Sequence, residues 1–313
     1  MTDTTGTQQS DSATRVAREV IENVEEVIVG HHEEIEHIVT ALLGRGHVLL
    51  EDVPGVGKTM LARSVAASVD GEFSRVQFTP DLLPTDVTGV NVYNQQTETF
   101  EFRRGPIFGN VVLGDEINRA PPKTQSALLE AMEEGQVSVD GTTHAVPEPF
   151  TVIATQNTVE QHTAYSLPMA ELDRFMTKLR LGYPDADEET AMLGEVVGNH
   201  PIADLEPVAT LADLRAAREA VADVTVEEPI RAYATRLANY TREHARLGVS
   251  PRGSISLLRA AQARAVLDGR RYVVPDDVQR EAPVVLPHRI RTDSSDQTPD
   301  ELVAAALSSV AVE

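Results

Sequence analysis

The chain has 313 residues, with 49 Asp and Glu against 27 Lys and Arg, for a formal charge of −22. It is 41% hydrophobic but only 4% aromatic, and it has neither Cys nor Trp. Disulfides, thiolate zinc sites and a cysteine nucleophile are therefore excluded, an all-β fold is disfavoured, and the acid excess opposes binding to a nucleic-acid backbone.

Lys occurs only at 58, 123 and 178, so Arg carries nearly all the positive charge. Such a surface, rich in carboxylate and poor in Lys, suits hydration at high salt, where screening tolerates self-repulsion, and we read it as halophile-like. The segment from Met1 to Asp11 is polar, with no apolar signal core. No later stretch approaches the roughly 18 to 20 apolar residues of a membrane helix. A cytoplasmic protein without membrane insertion is expected.

In chain order, residues 1–14 are rich in Thr, Ser, Gln and Asp and are expected to be a disordered tail. Apolar residues at helical spacing predict one helix from Val16 to Val29 and a second through Ile35, Ile38 and Leu42 to Gly44. Five short apolar runs follow: His47 to Leu50, Arg75 to Phe78, Asn110 to Gly114, Phe150 to Thr155 and Lys178 to Leu181. Separated by helical stretches such as Lys58 to Val69 and Pro122 to Glu134, they read as buried parallel strands in a three-layer α/β sandwich. Past Tyr183-Pro184 the strand pattern stops. The remainder predicts helices at about 187–197, 211–223, 229–247, 252–267, 275–287 and 299–310, so a domain boundary is expected near 183.

The first strand runs into Asp52-Val53-Pro54-Gly55-Val56-Gly57-Lys58-Thr59, and a helix continues from Met60. Glycines let backbone N–H groups curl around phosphate, the helix N-terminus adds positive potential, Lys58 reaches the terminal phosphates, and Thr59 offers oxygen to magnesium. Pro54 to Met60 is thus the nucleotide-binding loop, with ATP and Mg2+ as its cofactors. The expected first glycine is Asp52, so that position must avoid a conformation only glycine adopts. The strand ending Leu113-Gly114-Asp115-Glu116 delivers two carboxylates at its C-terminal end, where ligands of open parallel sheets bind. Asp115 is placed to hold magnesium and Glu116 to orient or deprotonate the attacking water. The strand from Phe150 ends in Gln156-Asn157, and Asn157 reads either as a ligand of the terminal phosphate or its water, or as an ordinary turn former.

Three such elements in this order suggest AAA+, and the words between them sharpen the match. Asp115-Glu116-Ile117-Asn118-Arg119-Ala120-Pro121-Pro122-Lys123-Thr124-Gln125 resembles the signature of the MoxR family, as do Leu167-Pro168 and Leu172-Asp173-Arg174-Phe175-Met176. Gly248-Val249-Ser250-Pro251-Arg252 and Tyr272 to Val278 resemble its lid. The resemblance implies a core over 15–183 with a hairpin insert at about 81–105, then an all-helical lid over 184–313 with a pre-sensor insertion near 211–223. It further implies an ATPase forming a homo-oligomeric, hexameric ring that remodels or matures client proteins, often metal-binding or carrying von Willebrand factor A domains. By the same resemblance Asn157 is the first sensor, Arg174 the finger offered to a neighbouring subunit and Arg252 the second sensor, acting in cis or in trans.

From the residues alone, Arg174 also reads as a surface side chain paired with Asp173. Arg252 stands at a helix start, an unfavourable end for a cation unless an anion meets it. The nine His show no metal-ligand spacing. Val29-Gly30-His31 either caps a helix or flanks adenine. Rival classes are a nucleic-acid motor, which the charge opposes, and a magnesium-chelatase ATPase subunit, which the Asn118-to-Gln125 wording disfavours.

Overall fold

The computed structural model describes residues 3–157, 165–184, 186–187, 189–190, 201–293 and 297–312. Five strands form one parallel sheet: β1 (Val48–Asp52), β3 (Phe73–Gln77), β6 (Val111–Asp115), β9 (Thr151–Asn157) and β10 (Thr177–Leu179), in the order β10-β1-β9-β6-β3. Alternation along each strand sorts side chains to two cores. Val48, Leu50, Leu113 and Ile153 face one apolar cluster, and Leu49, Val112, Val152 and Ala154 the other. A strand buried on both faces is apolar at nearly every position, which is why the three central runs do not alternate with polar residues, whereas the edge strand β3 does.

Helices α1 (Asp3–Glu25), α2 (His32–Leu43) and α3 (Lys58–Ala67) belong to the first core cluster, while α4 (Pro84–Thr88) and α5 (Pro122–Glu134) lie with the second. His47 is buried between the layers. Its Nε2 meets the Met132 carbonyl at 3.1 Å and its Nδ1 accepts from the Val152 N–H at 3.0 Å, and burial pushes its pKa down to about 4. It serves as a neutral strut.

Two antiparallel hairpins project from this sandwich. One pairs β4 (Gly89–Asn94) with β5 (Thr99–Arg104), inside the insert expected at 81–105. The other pairs β7 (Gln136–Val139) with β8 (Thr142–Ala145) and was not expected. Its signal was legible: Asp140-Gly141 lies between alternating residues, and both take positive φ, 49° and 78°, as a two-residue type I′ turn requires. Asn91 Nδ2 donates to Asp140 Oδ2 at 2.8 Å, and Phe102 stacks on His144 at 3.9 Å, so the hairpins stand side by side.

Two expectations are corrected. The tail expected to be disordered over 1–14 is instead the start of α1, a single helix from Asp3. Ala13 and Thr14 are buried there, and Thr14 Oγ1 donates to the Val266 carbonyl at 2.6 Å. Polar composition hid the helix, because a tertiary partner far along the chain satisfies it. The boundary expected near 183 also fails to separate core from lid. The strand β11 (Ala209–Thr210) pairs with β2 (Val69–Asp70), and the helix Leu211–Ala222 packs on α1. From that helix the buried Arg218 donates to the Leu42 carbonyl at 2.9 Å and to Thr151 Oγ1 at 2.7 Å. The chain thus returns to the sandwich before leaving it again. The helix expected over 187–197 lies largely outside the described residues.

After α6 (Met169–Leu172) and α7, the Leu211–Ala222 helix, the lid is built from α8 (Glu228–His244), α9 (Pro251–Leu267), α10 (Pro275–Val285) and α11 (Pro299–Ser309). Side-chain caps fix two of their starts. Ser250 Oγ accepts from Gly253 N at 3.1 Å and Thr298 Oγ1 from Glu301 N at 3.2 Å. A buried ionic cluster joins lid to core: Arg264 of α9 donates to Glu281 of α10 at 2.8 Å and to Glu36 of α2 at 2.5 Å, and His37 Nδ1 lies 3.0 Å from Glu281.

Candidate functional site

The parallel register sets the C-terminal ends of the strands level with one another. Asp52 lies opposite Asn157, and Gln77 opposite Asp115. Beyond that edge the loop from Pro54 leads into α3 and frames a cavity of about 320 Å3 lined by Pro54, Gly55, Gly57, Lys58, Thr59 and Met60 together with Asp115, Glu116 and Asn157. Val56, expected in the same loop, turns instead toward the apolar core.

Gly55 and Gly57 have φ of 89° and 88°, and a Cβ added to either would meet nothing within 4 Å. Their conformation is one that side chains resist, and the space beside them is open. No side chain caps the N-terminus of α3 at Gly57. Uncapped N–H groups beside an open cradle are the arrangement that receives a phosphate chain.

Asp52 answers its own question. It takes no positive φ and stays within β1. Its Oδ2 accepts from the N–H groups of Leu181 and Gly182 at 2.7 and 2.6 Å, and its Oδ1 from Val53 N at 2.7 Å. The carboxylate ties the root of the loop to the chain leaving β10.

Lys58 Nζ donates to the carbonyls of Asp52 and Val53 at 3.0 and 2.7 Å and to Asn157 Oδ1 at 3.1 Å. Burial lowers its pKa from the ordinary value, opposed by the charges of Asp52, Asp115 and Glu116. Asn157 in turn donates through Nδ2 to Glu116 Oε1 at 2.7 Å, so one amide links the cation to the candidate base. Glu116 sits in the left-handed region at φ 57°, ψ 49°, a conformation that costs a non-glycine residue about 1 kcal/mol or more and that the contacts around it must hold.

Five contacts here were not foreseen. Thr155 Oγ1 donates to Asp115 Oδ1 at 2.6 Å and accepts from the Glu116 N–H at 2.8 Å, fixing both acids through one hydroxyl. Gln77 Nε2 and Arg119 Nη1 donate to Glu116 Oε2 at 2.8 and 2.9 Å. Arg75 Nη2 lies 2.5 Å from Asp115 Oδ2. The exposed Arg63 of α3 completes the cavity wall. Only the β3–β6 register reveals Arg75 and Gln77 as neighbours of the acids; Thr155, two residues before Asn157 in an apolar strand, carried a faint polar signal.

Thr59 Oγ1 and Asp115 Oδ2 stand 3.4 Å apart at the cavity. One hydroxyl and one carboxylate, with phosphate oxygens, match the sparse protein ligation that magnesium takes in nucleotide sites. Among the described residues no cluster of three His, Cys, Asp or Glu forms a dedicated metal cage.

Arg174 and Arg252 are absent from this cavity wall. They lie together elsewhere: Arg174 Nη2 meets Glu133 Oε2 at 3.1 Å, and Arg252 Nη2 donates to Glu133 Oε1. The local Asp173–Arg174 pair does not form. Asp173 instead accepts from Arg289 Nε at 2.8 Å and Ser250 Oγ at 2.9 Å. Val29, Gly30 and His31 do not line the cavity either.

Comparison with known proteins agrees with this geometry. Residues 47–177 match the model of the ATPase family associated with various cellular activities (AAA), and residues 237–306 match the AAA lid domain. The uncharacterized protein YeaC of Bacillus subtilis is 54% identical over 272 residues, covering 86% of this chain and 85% of that one. Chaperone MoxR1 of Mycobacterium tuberculosis is 42% identical over 278 residues, covering 85% and 73%. The crystal structure of a protein from Cytophaga hutchinsonii assigned as an ATPase superposes with a TM-score of 0.89 at 36% identity over 97% of both chains. With its parallel sheet, its phosphate loop and relatives matched along most of their length, the chain belongs to the MoxR family of AAA+ ATPases.

Proposed function

We propose that this chain is a cytoplasmic, Mg2+-dependent ATP hydrolase that assembles into a homo-oligomeric ring, hexameric in its working form, and remodels or matures a client protein. The observation that carries it is the convergence of Lys58, Thr59, Asp115, Glu116 and Asn157 on one cavity at the C-terminal edge of the sheet. Thr59 and Asp115 would hold magnesium, which would supply charge neutralisation when bound. Lys58 meets the terminal phosphates, Glu116 takes the proton of the attacking water, and Asn157 orients both. Arg174 and Arg252 act in trans on the neighbouring subunit's nucleotide. Their shared seat on Glu133, outside their own cavity wall, supports that reading over action in cis.

Two measurements test the ring. Specific ATPase activity should rise with protein concentration as subunits meet, and chelation by EDTA should abolish it; activity independent of concentration overturns action in trans. For the client we favour a partner with a von Willebrand factor A domain. The chelatase-subunit alternative is disfavoured by the higher identity to chaperone MoxR1, 42% against 27% for the magnesium-chelatase 38 kDa subunit.

The hairpin β4–β5 is the client-facing element. Its tip is polar, but Asn94 Nδ2 is spent on Glu101 at 2.6 Å, and the Gln96 N–H on Asn94 Oδ1 at 2.9 Å. Directly below, Tyr93 and Phe100 form an exposed ring pair, 50% and 71% accessible, with centroids 5.3 Å apart. Deleting Asn94 to Glu98 should leave basal hydrolysis within about three-fold while abolishing client stimulation, because loop tips carry function on a scaffold that folds without them. Loss of nucleotide binding on that deletion would show the segment to be structural.

The excess of carboxylate carries a further expectation. The melting temperature should rise between 0.1 and 2 M KCl by about 5 °C or more as screening relieves repulsion. A flat or falling profile removes the salt-adapted reading.

A further inference from the structure

We propose that Glu133 is the positioning residue that holds Arg174 and Arg252 as one bidentate anion receptor for the neighbouring subunit's nucleotide. This rests on the trans reading given above.

Glu133 lies in the last turn of α5, and each of its carboxylate oxygens takes a different arginine. Arg174 follows α6 in the core, whereas Arg252 stands in the first turn of α9 in the lid. The two come from separate elements, and one carboxylate gathers them. Two guanidinium groups so close repel, and the shared counter-charge offsets that repulsion. At Glu133 two guanidinium groups share one carboxylate, outside the wall of their own nucleotide cavity, and the Glu171 carboxylate acts on Arg174 from nearby. The Arg174 side chain keeps 27% of its surface exposed and that of Arg252 45%, so an incoming anion can reach them.

The joint beneath is stiff. Asp173 is tied to Arg289 and to Ser250, and Ser250 caps α9, the helix bearing Arg252. Arg289 Nη2 also donates to the Phe175 carbonyl at 2.6 Å. The backbone roots of both arginines are therefore fixed to one another, and Glu133 fixes their tips. Guanidinium groups held in one geometry lose little freedom on meeting a phosphate, which is the condition for a strong charge-assisted contact.

Glu133→Gln keeps the shape and removes the charge. It should lower kcat by about ten-fold to a hundred-fold, with KM for ATP and binding of a fluorescent ADP analogue unchanged within about two-fold. Glu133→Asp should recover part of the loss. Mixed rings give the decisive readout: Glu133→Gln subunits, which bind ATP, combined with Lys58→Ala subunits, which offer an intact arginine pair, should regain activity well above the sum of the two alone. A structural defect, or a role of Glu133 at its own subunit's nucleotide, leaves the mixture inactive and overturns the proposal. A rise in kcat on Glu133→Gln overturns it too, since Glu133 would then be a brake. Arg174→Ala and Arg252→Ala run alongside separate the two levels. If they collapse kcat and Glu133→Gln does not, only the positioning role fails; if neither lowers kcat, the trans reading itself fails.

Discussion

Glu116→Gln should retain ATP and lose turnover by about 10²- to 10⁴-fold, the range a positioned general base contributes. The substitution keeps the size of the side chain and one oxygen to accept from Gln77 and Arg119, and gives up only the contact in which Glu116 accepts from Asn157. What disappears is the capacity to take the water's proton. Lys58→Ala should act differently. It removes the cation that now bridges the loop carbonyls and Asn157, and ATP binding itself should be lost. Equilibrium binding of a fluorescent ATP analogue beside phosphate release separates the two variants. Wild-type turnover by Glu116→Gln would remove Glu116 from the role of base.

The largest effect on stability is expected at the joint between lid and core. Arg264 is 1% exposed and Glu281 0%, and the pair also draws in Glu36 and His37 from α2. Arg264→Met strands a fully buried carboxylate, and removing one partner of such a pair costs about 3 to 5 kcal/mol. Denaturant unfolding should show that loss. Adding Glu281→Leu should return a good part of it, because the fully buried carboxylate is then gone and Glu36, the other partner, is partly exposed. A loss under about 1 kcal/mol for Arg264→Met would mean that water reaches Glu281 and relieves it.

The parts of the site legible in advance were those that local sequence encodes. A glycine-rich turn between an apolar run and a helical one, and two acids ending a second apolar run, are local in spacing and chemistry. The same holds for the second hairpin, whose Asp140-Gly141 turn was present to be read. The start of α1 was not legible in this way. Residues 3–14 look disordered because they are polar, and they are helical where a distant carbonyl at Val266 and the apolar faces of other helices meet them. Helix propensity is a weak prior against such contacts.

By itself the sequence determined the chemistry on offer: an aliphatic interior, no thiols, an acidic surface, and Lys58, Thr59, Asp115, Glu116 and Asn157 at the ends of elements whose order it also set. Tertiary structure alone decided who meets whom. The parallel register laid Gln77 and Arg75 against the two acids, helix packing set residues 209–222 back onto the sandwich, and the seating of the lid brought Arg174 and Arg252, 78 positions apart, onto Glu133. Such pairings depend on distances between elements, and no periodicity within an element reports them, since spacing along a helix or strand fixes only which residues share its face.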